Sequence, residues 1–152
     1  GPQFRRNLQE LYQLQSTYWG VIRRSLRQPV DPALFSELLS QFHMVYHEAA
    51  QYIDQLPPEQ AAFYRPRLVV LWNMFSELEQ AESLIQTGAV TPAEVPPLDN
   101  LAAALETRIC SLRDLEALRP EGLPQDELYY VLNRYLENAR ALCPIQPAAP
   151  AP

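Results

Sequence analysis

Between positions 35 and 56 the apolar side chains Phe35, Leu38, Phe42, Val45, Ala49, Tyr52 and Leu56 recur in alternating steps of three and four residues. Only an α-helix places such positions on one face, and the stripe is long enough for coiled-coil-like packing against neighbouring helices. Asp31 can cap this helix and Pro32 suits its first position, where the missing N–H costs nothing. Pro57-Pro58 closes it.

Proline punctuates the rest in the same way. The chain has 15 prolines and only 4 glycines, so raw material for strand hairpins is scarce, while proline stops between helices are plentiful. A first helix is expected over 4–28, with Phe4, Leu8, Leu11, Tyr18, Ile22 and Leu26 inward, and Pro29 after it. A third should run over 57–87, bent or broken near Pro66, with Gly88 as a left-handed stop. Thr91-Pro92-Ala93-Glu94 has the form of a capping box, and Pro96-Pro97 should end that short turn. A fourth helix is expected over 98–118, turning inward Leu101, Leu105, Ile109, Leu112 and Leu115. The break at Arg119-Pro120-Glu121-Gly122 precedes a fifth that follows Pro124, with Leu128, Leu132, Tyr135, Ala139 and Leu142 as its stripe. These expectations define an all-α bundle of about five principal helices, mostly antiparallel. They form a single domain over 3–143, followed by a Pro/Ala-rich linker over 144–152. Gly1-Pro2 reads as the remnant of a cleaved tag, and the chain as a piece of a larger protein.

The 152 residues include 12 basic and 18 acidic ones, for a net charge of −6. The charge is uneven, because residues 1–30 hold five arginines against Glu10 alone, while the remainder holds seven against seventeen acids. An acidic chain disfavours non-specific coating of DNA. Every basic residue is arginine, a pattern expected from genome composition. The two cysteines are too few for a disulfide framework, which favours a reducing, intracellular setting, cytoplasmic or nuclear. Cys110, beside Ile109, is then expected to be a small buried hydrophobe. The densest apolar run, residues 68–75, is far short of the roughly 20 residues that cross a bilayer, so no membrane segment is expected.

Candidate chemistry is sparse. His43 and His47 share a helix face at the spacing of a metal pair, but the order His-Met-Val-Tyr-His-Glu lacks the glutamate that a metalloprotease places directly after its first histidine. No metal or cofactor is expected. Glu77, Glu79 and Glu82 read as a solvated face, since di-iron bundles need Glu-x-x-His pairs on two helices. Gly-x-Ser-x-Gly is absent, and with it that nucleophile class. The expected function is therefore non-catalytic: protein–protein interaction or self-association within a larger scaffold protein. The anchors would come from the two stretches with more large side chains than one buried stripe requires, namely Tyr12, Tyr18 and Trp19 in the first helix and Trp72, Met74 and Phe75 in the third. The alternative is RNA binding through Arg23, Arg24 and Arg27, with Trp19 stacking on a base.

Overall fold

The computed structural model describes residues 1–116 and 125–143. Five α-helices carry them: α1 (Pro2–Ser25), α2 (Ala33–Ile53), α3 (Pro58–Thr87), α4 (Val95–Thr107) and α5 (Glu127–Leu142). Single 3-10 turns lie at Pro92–Glu94 and Ile109–Ser111. Among the described residues there is no strand, and the all-α class read from periodicity holds. The expected Arg119–Gly122 break and the 144–152 linker lie outside the described residues. Two compact units emerge, Gly1–Trp72 and the chain from Asn73 onward.

The first unit is an up-down-up arrangement. Gln3 Nε2, near the start of α1, donates to Glu48 Oε1 near the end of α2 at 3.3 Å. At the other end of the pair, the Tyr18 and Phe35 rings sit 5.1 Å apart, so α1 and α2 are antiparallel. Helix α3 returns along α2, from the Arg65–Asp54 ion pair at 2.5 Å to Trp72 beside Tyr46, with ring centroids 4.8 Å apart. Phe4 meets Tyr64 edge-on at 5.0 Å, which places the start of α3 by the start of α1.

The buried stripe of α2 is Phe35, Leu38, Phe42, Val45, Ala49 and Ile53. The first five match the expected heptad steps; the last does not, because Ile53 rather than Tyr52 faces inward. A straight helix at 3.6 residues per turn drifts about 20° per heptad against a strict seven-residue repeat. After nearly three heptads the next residue along has rotated into the core. Asp31 Oδ1 accepts from Ala33 N at 3.0 Å, although the helix begins one residue later than expected, with Pro32 before its first residue and not within it. In α1 the polar Asn7 is buried where Leu8, half-buried, was expected. Its Oδ1 accepts from Gln3 Nε2 at 2.9 Å.

Helix α3 continues through Pro66, whose ring is on the exposed side. Pro66 has no N–H to offer the Ala62 carbonyl, which can accept from water instead. The positive φ after its last turn falls on Ala89, at 26°, and not on Gly88. Gly88 is needed for a different reason, since a Cβ there would sit 2.5 Å from the Leu84 carbonyl oxygen.

In the second unit α5 runs antiparallel to the C-terminal half of α3. Arg134 reaches Gln80 at 3.2 Å, and Asn138 reaches Glu77 at 2.9 Å. Asp126 caps α5 by accepting from Tyr129 N at 3.2 Å. Helix α4 corrects two expectations. Pro96 and Pro97 do not stop a turn; they occupy the first turn of α4, where their missing N–H groups have no intrahelical partner to lose. The helix also ends at Thr107, well before 118. Beyond it the chain makes one 3-10 turn and then extends at Leu112, with φ −81° and ψ 128°. Ile109, Leu112 and Leu115 mimic a helical stripe by spacing, yet only Leu115 is fully buried.

This extended segment is a strap laid antiparallel along α5. The Arg140 Nε donates to the Leu112 carbonyl at 3.2 Å, and the Tyr129 hydroxyl donates to Glu116. Cys110, at the strap's start, is disulfide-bonded to Cys143 just past α5, with a Cα–Cα distance of 5.4 Å. Cys110 is exposed, not a buried hydrophobe, and the low cysteine count did not indicate reduced thiols. A single crosslink needs only two cysteines brought together, and the strap brings them.

Two stability outcomes follow. Phe42→Ala should cost roughly 3–5 kcal/mol in urea unfolding, as expected for truncation of a buried ring; a loss below about 1 kcal/mol would place that face outside the core. Reducing the crosslink, which spans 33 residues, should lower stability by about 3–4 kcal/mol in the same assay.

Candidate functional site

The strongest concentration of accessible rings is on the α2/α3 face of the first unit. Positions 42, 43, 46 and 47 fall on consecutive turns of one side of α2, and 69 and 72 lie one turn apart on α3. Trp72 is the hub. Its ring lies 4.8 Å from Tyr46, 5.7 Å from Phe42 and 6.5 Å from His47, and it stacks nearly parallel to His43 at 5.1 Å with an interplanar angle of 12°. Phe42 is buried beneath, whereas His43 and His47 are exposed. Trp72 keeps 36% of its surface exposed and Val69 54%. Burial pushes the Tyr46 hydroxyl above its ordinary pKa, so it is a neutral donor at any physiological pH. The rings pack against one another directly. What they form is a packed, largely uncharged platform, bordered by the Arg65–Asp54 pair.

The other expected anchors are placed differently. Tyr18, Trp19, Met74 and Phe75 are buried, so the chain's own packing consumes them and no partner reaches them without rearrangement. Tyr12 is half-buried, and burial pushes its hydroxyl pKa up to about 12, with Tyr64 adding to the effect and Arg67 opposing it. Phe63, also exposed, is covered on one side by the Arg67 guanidinium, 3.7 Å from the ring centroid.

Arg24 and Arg27 are exposed and Arg23 half-buried at the C-terminal end of α1, where positive charge suits the free carbonyls. Trp19 is 2% exposed and cannot offer a face to a base, which removes the stacking partner from the nucleic-acid reading. His43 and His47 share a face as their spacing requires, but both pack on Trp72. Among the described residues no three His, Cys, Asp or Glu side chains group to hold a metal ion. The role of the two histidines as companions of Trp72 was not legible, because spacing within α2 says nothing of which helix lies alongside.

Glu77 departs from the solvated face expected of it. It is 8% exposed, accepts from Asn138 Nδ2 at 2.9 Å, and lies 3.8 Å from Arg134 Nε. Desolvation raises its pKa, while the Asn138 hydrogen bond and Arg134 oppose the shift. Glu79 is exposed and Glu82 half-buried.

Comparison with family models, with characterised proteins and with solved structures returns no match. Among the described residues no helix is long and apolar enough to cross a membrane.

The Glu77 environment sets a pH dependence. With its folded pKa raised, the native state holds a proton that the unfolded chain has already released. Stability contributed at Glu77 therefore falls as pH rises through the interval between the two pKa values. The difference in unfolding free energy between Glu77→Gln and the parent should grow in favour of the variant from acid to neutral pH. A difference independent of pH would show that Glu77 titrates as in the unfolded chain.

Proposed function

We propose that this chain is a non-catalytic self-association module of a larger scaffold protein, and that a second copy covers the α2/α3 platform. The observation that carries this reading is Trp72, a large ring left 36% exposed at the hub of four others. Tryptophan half-sunk in an apolar setting is the side chain that most often anchors protein contacts. Two copies of a chain with net charge −6 repel one another wherever acids face acids. An isologous contact sets each surface against its own image. The platform suits that demand, since its centre of His43, Tyr46, His47, Val69 and Trp72 carries no carboxylate or guanidinium. The Arg65–Asp54 pair at its edge holds one charge of each sign, so a two-fold rotation offers each ion a partner in either copy.

A small aromatic face around one anchoring ring is expected to associate with a Kd on the order of micromolar. Light scattering at about 100 µM should therefore give twice the 17.4 kDa of the chain. Trp72→Glu and Val69→Glu should each return the mass to that of one chain with unchanged helical circular dichroism. A strict monomer across that range, or a dimer indifferent to both substitutions, contradicts the proposal.

A further inference from the structure

The crosslink in the second unit sits in a chemical setting of its own. An open cleft beside it is lined by Cys110, Ser111, Leu112, Arg113 and Arg140. Its described lining contains two guanidinium groups and no acid, in a unit whose described residues from Asn73 onward hold eleven acids against four arginines. Cys110 is exposed and lines the cleft, whereas Cys143 is half-buried, so Cys110 is the more accessible residue of the pair. Thiol–disulfide exchange proceeds by a thiolate anion approaching an accessible sulfur, and positive charge nearby favours both the approaching and the departing anion.

We infer that Cys110–Cys143 is a thiol-exchange site that takes anionic thiols, admitted through the Arg113/Arg140 cleft. The incoming thiolate sulfur bonds to Cys110 Sγ, the Cys110–Cys143 bond breaks, and the electron pair leaves on Cys143 Sγ, which takes a proton from solvent. Cys143 Sγ lies 3.3 Å from the Ala139 carbonyl oxygen, an acceptor in place for that proton. A second thiolate then attacks the mixed disulfide at its own kind of sulfur. It leaves Cys110 as a thiolate, which takes a second proton from solvent, and carries away a disulfide of the two small thiols, so the protein crosslink gains two electrons and two protons. Release of Cys143 cuts the covalent tie between the strap and α5, leaving Leu115, Arg140 and the Glu116 contacts to hold it.

The test compares two small thiols, glutathione, which carries net negative charge, and cysteamine, which carries an ammonium group. They are applied to the oxidised full chain at matched thiolate concentration and low salt. Intact mass follows the adduct, and rapid alkylation followed by peptide mapping locates the freed thiol. Glutathione should react faster by roughly threefold or more, with the advantage shrinking as salt rises. The adduct should form on Cys110 and the alkyl group on Cys143. Arg113→Glu, which inverts the charge without touching a strap hydrogen bond, should abolish or reverse the preference, and Arg113→Gln should fall between. Equal or faster reaction of cysteamine with the parent, a preference unmoved by Arg113→Glu, or an adduct on Cys143 would each overturn the assignment.

Discussion

The burial of Phe35, Leu38, Phe42, Val45, Ala49 and Ile53 along one side of α2 is the constraint on which the first unit depends. That stripe can leave water only against helices whose own apolar positions lie at the same pitch, and α1 and the start of α3 supply them. Tyr18 closes on Phe35 at one end of the α1/α2 pair, and the Gln3–Glu48 hydrogen bond marks the other. The direction of each chain segment follows from these end contacts, since a parallel arrangement would set Phe35 beside the start of α1. The tight links between helices leave little choice of topology, as short connections favour antiparallel neighbours.

Once the stripe is filled, the question for function is which rings remain. The chain has more large apolar side chains than one face of each helix can bury, and most of the surplus is nonetheless hidden. Tyr18, Trp19, Met74 and Phe75 are core residues. Among the six expected anchors Trp72 is the exposed one, because it lies at the margin of the buried arc of α3, where α2 offers rings on one side and solvent lies on the other. Its neighbours His43 and His47 are polar enough to tolerate water and flat enough to stack, which keeps the platform stable when uncovered. The same reasoning separates the two units chemically. The described residues of the first are nearly neutral, and those of the second are strongly acidic apart from the arginine-lined cleft beside the crosslink.

Much of this was legible in the amino-acid order. Apolar spacing located the five helices, Asp31 marked the start of α2, and proline gave most boundaries. The failures have physical causes. Ile53 replaces Tyr52 because a heptad repeat and a straight helix drift apart. Pro96 and Pro97 were read as a stop although a first turn accepts proline freely. Ile109, Leu112 and Leu115 have helical spacing, but the segment is an extended strap held by a disulfide and by long side chains from α5, and local periodicity records neither. Glu77 became a buried group through Asn138, sixty-one positions away. The candidate site was half legible: Trp72 stood out by size, but pitch alone could not separate it from Phe75, which lies three residues on and is buried.

The central claim is that the chain buries Trp19 and leaves Trp72 as the open one of its two tryptophans. Acrylamide quenching of Trp19→Phe and Trp72→Phe tests it directly, in dilute solution where copies do not meet. The indole retained at position 72 should be quenched several-fold more strongly than the one retained at position 19, in keeping with exposures of 36% and 2%. Equal quenching of the two, or stronger quenching of Trp19, would contradict the account.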